Sequence, residues 1–165
     1  MKATTYTLIA FFASMILFTG CVKHDPFINI EYNCECGDLL LGDRALSVRL
    51  AEGFVPSDDE PNLYRYHIVA DLRTENEVAN HNPNHDLALT VDVITDGAST
   101  TVNAIDVLVA NEIEVPGVDI NWEISSGIVN VLITDNSHIL TFTNVQAGLS
   151  GNGGTIDAEF TIIPQ

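Results

Sequence analysis

The chain has 165 residues, of which 23 are Asp or Glu and only 6 are Lys or Arg, so its formal net charge is −17 at pH 7. Nucleic acids and anionic membrane surfaces are bound through clustered cations, and this composition therefore excludes nucleic acid as a partner. The length suits one domain with a real core, and the acidic surface is compatible with divalent cations, with basic partners or with solubility alone.

The first twenty residues have the pattern of a secretory signal. Lys2 precedes an apolar run at 8–18, about half of the roughly 20 residues that a membrane-spanning helix needs. A cation, a short apolar centre and small residues before a cut are typical of a cleaved signal peptide. We therefore predict that residues 1–20 are removed.

The residues at the predicted cut carry a more specific pattern. Phe18-Thr19-Gly20-Cys21 resembles the lipobox of bacterial lipoproteins, in which small residues precede a cysteine at the cut. The resemblance implies diacylglycerol on the Cys21 thiol and a further acyl chain, such as palmitate, on the new amino terminus. Two or three chains anchor a protein stably, whereas one chain binds a membrane only reversibly. The alternative is an ordinary secretory peptide with an incidental cysteine.

The resemblance also implies a location. Val22 follows Cys21, whereas Asp at this position tends to retain enteric lipoproteins in the inner membrane. By that analogy the protein would sit in the outer membrane, on its periplasmic face or at the cell surface. We expect residues 21–27 to be a lipidated tether and residues 28–165 to be the folded domain.

The two remaining cysteines, Cys34 and Cys36, are candidates for a disulfide, since the envelope outside the cytoplasm is oxidising. In an extended strand their Cα atoms would be about 6.5 to 7 Å apart, which is the upper limit for a bridge. A turn at Gly37 would bring them closer. A structural disulfide, a redox pair and two free thiols all remain open, and two cysteines alone are a weak zinc signal.

Alternation of apolar and polar residues predicts strands along the rest of the chain. The clearest run begins at Leu63, where Tyr64, Tyr66 and Ile68 share one face. The predicted strands lie at 28–32, 46–50, 63–73, 87–93, 102–109, 119–125, 128–134, 139–145 and 155–162. Turn residues separate them at 96–97, 116–117, 126–127, 135–136 and 150–154. We expect residues 57–62 to be a loop, and we expect no helical segment after the signal.

Many short strands with polar outer faces predict an all-β fold of antiparallel strands. We favour an immunoglobulin-like β-sandwich of seven to nine strands, and a small β-barrel is the alternative. Residues 140–145 and 154–160 also resemble the closing hairpin of small, mostly uncharacterised β-rich lipoproteins of Bacteroidetes. That resemblance implies a fold and a habitat and no activity.

Three clusters hold residue types that bind cations, and each has a simpler interpretation. His81 and His85 flank a proline, which predicts a polar turn rather than a helix face. The residues at 119, 121 and 123 have the spacing of the first ligands of a calcium loop, but strand alternation explains it. Asp58-Asp59-Glu60 could hold calcium loosely, although a solvated charge run is the simpler reading. We predict no metal site and no cofactor.

Aromatic residues suggest a sugar platform, because Tyr64, Tyr66 and Trp122 could stack on a ring. All three alternate with aliphatic residues, which favours core positions. No serine lies in a nucleophile elbow, and carboxylates are too abundant to mark an acid–base pair, so we predict no catalytic residue. The sequence favours a non-enzymatic, lipid-anchored envelope protein that binds another envelope protein or has a structural role. A carbohydrate- or calcium-binding module of the outer membrane is the alternative.

Overall fold

The computed structural model describes residues 27–96, 99–111, 120–149 and 152–165. The predicted signal peptide, Cys21 and all but the last residue of the tether lie outside these ranges. The strands are β1 (Gly37–Leu41), β2 (Arg44–Phe54), β3 (Leu63–Asp71), β4 (His85–Thr95), β5 (Thr100–Asn111), β6 (Ile120–Ile133), β7 (His138–Leu149) and β8 (Asn152–Ile162). A 3-10 helix at Ile30–Tyr32 precedes β1, and the α-helix α1 (Glu75–Ala79) lies between β3 and β4.

The eight strands form one closed antiparallel barrel, in which each strand pairs with its neighbours in sequence and β1 pairs with β8. The closing register runs from Gly37 opposite Phe160 to Leu41 opposite Ile156. The prediction of an all-β antiparallel fold is confirmed, and the favoured immunoglobulin-like sandwich is corrected to the alternative, a small barrel. Alternation fixes which side chains point inward, but it carries no information on whether the last strand returns to the first.

Side chains fill the interior of the barrel. In β4 every second residue from Leu87 to Val93 is fully buried, as the alternation predicts. In β3 the inward face is Tyr66, Ile68 and Ala70, and β8 buries its alternate residues in the same way. Each large apolar side chain buried here contributes about 1.5–3 kcal/mol relative to an exposed one. The alternating pattern therefore specifies a packed core.

Several elements differ from the sequence prediction: β1 was not predicted, and the loop predicted at 150–154 overlaps the start of β8. Residues 30–32, within a predicted strand, form the 3-10 helix. The predicted turn at Ser126-Gly127 is an irregularity inside the long strand β6, whose register against β7 shifts on both sides of Ser126. Gly127 has a φ of 115°, and a Cβ there would collide with the backbone of Val145. Glycine thus permits a close approach of two strands rather than a reversal of the chain.

The helix α1 was not expected from the sequence. Thr74 caps it, because its backbone N donates to Oε2 of Glu77 at 2.7 Å and its hydroxyl accepts from the backbone N of Glu77. This reciprocal pair is a capping box. A helix of five residues is too short to show a helical period, so the Thr74-to-Glu77 spacing was the only signal of it.

The barrel has two ends, which we call the mouth end and the opposite end. The strands β2, β4, β6 and β8 finish at the mouth end, and β1, β3, β5 and β7 finish at the opposite end. At the mouth end, the backbone N of Gln165 donates to the carbonyl oxygen of Gly53 at 2.9 Å, and Val55 donates to that of Gln165. The C-terminal residues therefore lie beside β2 at the mouth.

The N-terminal segment is held at the opposite end. The backbone N of Asn29 donates to Oγ of Ser47 at 2.6 Å, and its side-chain amide donates to Oδ2 of Asp71 at 3.2 Å. Asp71 is the last residue of β3. The described chain thus begins at the end of the barrel that lies away from the mouth.

Candidate functional site

A pocket of about 530 Å³ opens at the mouth end, within the range of about 300–1,000 Å³ that is usual for small-molecule sites. Apolar side chains, among them Val55, Ile133 and Ile163, form part of its wall. Tyr64 and His138 also face it, and the connection between β6 and β7 supplies polar groups. The pocket therefore combines apolar walls with a small number of hydrogen-bonding groups.

The connection between β6 and β7 is held by its own hydrogen bonds. The backbone N of Thr134 donates to the carbonyl oxygen of Ser137 at 3.1 Å, and the backbone N of Ser137 donates to the Thr134 hydroxyl at 3.1 Å. Asp135 and Asn136 lie at its tip and line the pocket, which confirms the turn predicted at these two residues. A fixed turn places its polar groups without the entropy cost of ordering a mobile loop.

His138, which lines the pocket, shares a hydrogen bond with a buried tyrosine of the core. The hydroxyl of Tyr66 lies 2.6 Å from Nδ1 of His138, and the two residues are 0 % and 5 % exposed. Burial raises the pKa of Tyr66 and lowers the pKa of His138, so at neutral pH the phenol is protonated and the imidazole is uncharged. The pair is therefore neutral.

These protonation states assign the hydrogens of His138. The only hydrogen-bond partner of the Tyr66 hydroxyl among the described residues is Nδ1, and a buried hydroxyl hydrogen has to be satisfied there. Tyr66 therefore donates to Nδ1, and the single proton of the neutral ring is on Nε2. Nε2 has no hydrogen-bond partner within the described ranges, and His138 is one of the residues that line the pocket.

Tyr64 completes this arrangement. Its ring meets the ring of His138 edge-on, with centroids 5.0 Å apart and an angle of 76° between the planes. Tyr64 is half-buried, whereas Tyr66 lies wholly in the core. Of the two tyrosines that the sequence places on one face, only Tyr64 is thus in a position to contact a ligand. Trp122, the third residue of the predicted sugar platform, packs against the core.

A second cluster of polar residues lies at the opposite end and has a structural role. Nη2 of Arg73 is 2.8 Å from Oδ2 of Asp71, and both side chains are buried. The guanidinium also stacks on Tyr32, 4.7 Å from the ring centroid, and donates to the carbonyl oxygen of Asn82. Burial alone would raise the pKa of Asp71, but hydrogen bonds from Arg73 and Asn29 outweigh it and lower the pKa. This cluster fastens the N-terminal segment to the barrel.

Asp86 lies opposite Asp71 in the neighbouring strand. Its Oδ2 accepts a hydrogen bond from Nη2 of Arg49 at 3.0 Å, and its Oδ1 has no partner in the part of the chain that the structure describes. Burial raises the pKa of Asp86, and the positive charge of Arg49 opposes that rise. The carboxyl group is enclosed in the wall of the barrel, away from the mouth.

Cys34 and Cys36 are joined by a disulfide, with Cα atoms 5.2 Å apart. Glu35 between them has a φ of 54°, so the left-handed residue that brings them together is Glu35 and not Gly37. A side chain at Gly37 would collide with Phe160, so this glycine serves the contact between β1 and β8. Cys34 also donates from its backbone N to the carbonyl oxygen of Val48 at 2.7 Å. The disulfide lies outside the mouth pocket.

The residues considered as candidate cation ligands are not brought together. His81 is exposed in the connection between β3 and β4, and His85 begins β4. The acidic residues 58–60 are exposed between β2 and β3, Asn121 and Glu123 are exposed on β6, and Asp119 lies outside the described residues. Within the described ranges, no group of three or more His, Cys, Asp or Glu could hold a metal ion.

Sequence reasoning missed His138. The signal that could have found it is its register: it precedes Leu140 and Phe142 by two and four residues, and both point into the core. A histidine on the inward face of a strand, directly after a turn, is expected at one end of the hydrophobic core. Its partner Tyr66 is 72 residues away in sequence, and no local pattern could have indicated that contact.

Comparisons with protein-family models, with curated proteins and with solved structures found no match. None of the helices in the described ranges has the length and apolar character that a membrane span needs.

Proposed function

We propose that this chain is a lipid-anchored, non-enzymatic binding module of the cell envelope, and that it binds its partner through the mouth end of the barrel. The lipobox-like Phe18-Thr19-Gly20-Cys21 and the short apolar run before it support the anchor. The pocket and the exposed residues around it support binding. A location in the outer membrane follows only from the analogy at Val22.

The observation that carries the proposal is the position of the N-terminal segment. Asn29 is held at the end of the barrel away from the pocket, through Ser47 and Asp71. From residue 21 to residue 27 a chain spans at most about 22 Å, since each residue extends it by about 3.6 Å. Lipid on Cys21 would hold the opposite end near the bilayer, and the mouth would then face away from the membrane.

Exposed apolar side chains surround the mouth. Phe54 and Val55 follow one another at the end of β2, Ile94 lies near the end of β4, and Ile163 follows β8 and is 72 % exposed. Exposed apolar side chains that form a contiguous surface are typical of contact sites for other proteins. These residues favour an envelope protein as the partner, which is the first of the sequence-based hypotheses.

Binding is a better explanation of the site than catalysis. In a general base, the second ring nitrogen of histidine is usually held by a carboxylate, which raises its basicity. Here the neutral phenol of Tyr66 is hydrogen-bonded to Nδ1 of His138, and burial lowers the pKa of His138. Carbohydrate binding is a second candidate, supported by the same pocket, whereas calcium binding is an alternative that rests on the sequence alone.

The anchor is tested with Cys21→Ser in the native host, by membrane fractionation and by mass spectrometry of the mature amino terminus. We expect the wild-type protein in the membrane fraction with acylglycerol on Cys21, and we expect the variant to lose both the lipid and the membrane association. A double Cys34→Ser, Cys36→Ser variant is the control and should remain anchored. Normal processing of Cys21→Ser together with unchanged membrane binding would refute the anchor.

Binding at the mouth is tested by cross-linking in native envelopes, followed by identification of the captured molecules. Ile163→Asp places a charge in the proposed contact, and Ile30→Asp is its matched control at the other side of the molecule, since Ile30 is 87 % exposed. We expect Ile163→Asp to lose the captured species and Ile30→Asp to retain them. Equal capture by both variants would contradict binding through the mouth.

A further inference from the structure

We infer that the mouth pocket binds an uncharged carbohydrate, which accepts a hydrogen bond from the Nε2–H group of His138 and packs against the ring of Tyr64. This inference rests on the proposed function in one respect, because it takes the mouth as the binding end. It adds the chemical class of the ligand and the residues that recognise it.

The first step concerns the donor. Nδ1 of His138 is occupied by the Tyr66 hydroxyl at 2.6 Å, so the ring cannot turn over without breaking a buried hydrogen bond. Its Nε2–H group is thereby fixed in direction, and because His138 lines the pocket we take this group as the donor to a bound ligand. A fixed donor in a half-enclosed site selects ligands that carry an oxygen acceptor.

The second step concerns charge. The chain has a formal net charge of −17, Asp135 lines the pocket, and none of the lining residues is Lys or Arg. An anion would therefore lose solvation and meet repulsion. Asp135 would attract a simple cation, but a cation without a lone pair would leave the N–H group of His138 without an acceptor. An uncharged ligand that carries oxygen acceptors meets both conditions.

The third step concerns shape and polarity. Val55, Ile133 and Ile163 line one part of the pocket, and the turn around Asp135 and Asn136 lines another. A purely apolar ligand would bury these polar groups without a partner, which costs free energy for each of them. Sugars have the matching character, because they present C–H groups on the faces of the ring and hydroxyl groups around its edge. The volume of about 530 Å³ is sufficient for a small saccharide.

The ring of Tyr64 supplies the apolar surface with the best-defined position. Its edge-on contact with His138, at 5.0 Å between centroids, keeps the two rings nearly perpendicular. A sugar ring packed on Tyr64 would thus have a hydroxyl oxygen within reach of the donor on His138. The aromatic ring of Tyr64 would thus contact the face of the sugar ring, and the donor on His138 would bind a hydroxyl group at its edge.

The experiment uses the full chain, purified in lauryldimethylamine oxide, because a detergent with a sugar head group would compete for the site. The protein is applied to an array of neutral and acidic glycans, and the neutral glycan that binds best is then titrated by calorimetry. We expect neutral glycans to be preferred over acidic ones. Binding of no neutral glycan, or tighter binding of acidic ones, would overturn the inference.

Variants assign the contacts. His138→Phe should weaken binding roughly fivefold to tenfold, as loss of one hydrogen bond does, and Tyr64→Leu should weaken it by a similar factor. His67→Phe is the matched control, since His67 lies on the outer face of β3 beside Glu52 and should change the affinity less than about twofold. Unchanged affinity in His138→Phe would refute the role of the donor.

A measurement on the wild-type protein keeps the inference testable if His138→Phe does not fold. Long-range nitrogen–proton spectra of the histidine rings should show His138 protonated on Nε2, and the resonance of that nitrogen should move as the glycan is added. Protonation on Nδ1 would overturn the assignment. If the protein binds a glycan but is not found in the membrane fraction, only the lipid anchor is refuted. If it captures an envelope protein through the mouth but binds no glycan, only this inference is refuted.

Discussion

Tyr66→Phe provides the sharpest test of the hydrogen bond that holds the ring of His138. The substitution removes one oxygen atom from a residue that is 0 % exposed and leaves the ring in place. Nδ1 of His138, 2.6 Å from that oxygen, then loses its only hydrogen-bond partner among the described residues. A change of tautomer does not restore it, because a protonated Nδ1 would face the same apolar ring.

An unsatisfied buried polar group costs about 1–3 kcal/mol, and we take about 2 kcal/mol for this one. With an unfolding entropy of about 2.1 cal/mol/K per residue, a domain of residues 28–165 would lose roughly 7 °C in Tm. Tyr64→Phe is the matched control. The Tyr64 hydroxyl has no hydrogen bond to any described residue, so its loss should change stability by less than about 0.5 kcal/mol.

The assay is urea denaturation followed by circular dichroism, with His138→Phe and the double variant added to complete a cycle. Because Tyr66 and His138 share one bond, their coupling energy should be about 1–2 kcal/mol. If Tyr66→Phe destabilises the His138→Phe background as much as it destabilises the wild type, the bond contributes nothing and the tautomer assignment fails with it.

Three further predictions concern stability. Burial lowers the pKa of His138 in the folded protein below the ordinary value of 6.5. The neutral ring therefore makes its full contribution to stability above about pH 6.5, and this contribution is lost as the pH falls through the folded-state pKa. The difference in unfolding free energy between the wild type and His138→Gln should thus shrink between pH 7.5 and 5, and a constant difference would contradict this. Arg73→Met leaves Asp71 buried without its ion pair and should lower the free energy of unfolding by about 3 kcal/mol in chemical denaturation. A decrease below about 1 kcal/mol would count against a buried ion pair. Thr74→Ala removes the cap of α1, and a loss of about 1 kcal/mol in the stability of the helix should speed amide exchange at Val78 about fivefold. Exchange of the β4 amides should not change. Equal exchange at Val78 in both proteins would mean that the cap is not formed.

The inward faces of the strands could be predicted from the sequence because they depend only on the period of two. Tyr66 in β3, Leu89 in β4 and Phe160 in β8 are buried where alternation places them. The closure of the barrel could not be predicted in this way. It depends on the pairing of Gly37 with Phe160, 123 positions further along the chain, and alternation is equally compatible with two stacked sheets.

The candidate site was only partly predictable for the same reason. Tyr64 was identified as an aromatic residue on an inward face, and the turn at Asp135-Asn136 was identified from its residue types. What joins them is the closed sheet, which brings the start of β3 and the start of β7 to one end. His138 becomes recognisable only once that end is known, because its hydrogen bond to Tyr66 crosses the interior.

The pairing of β1 with β8 also affects how the molecule can be assembled. Every other pairing joins strands that are consecutive in the sequence, so those hairpins can form as the polypeptide emerges. Of the described strands, β1 is synthesised first and cannot pair along its second edge until β8, the last of them, has been synthesised. Until then one edge of β1 is unpaired and open to aggregation. A C-terminal truncation that removes residues 152–162 would expose β1 and β7 at once, so we expect such chains to lose their structure abruptly rather than strand by strand.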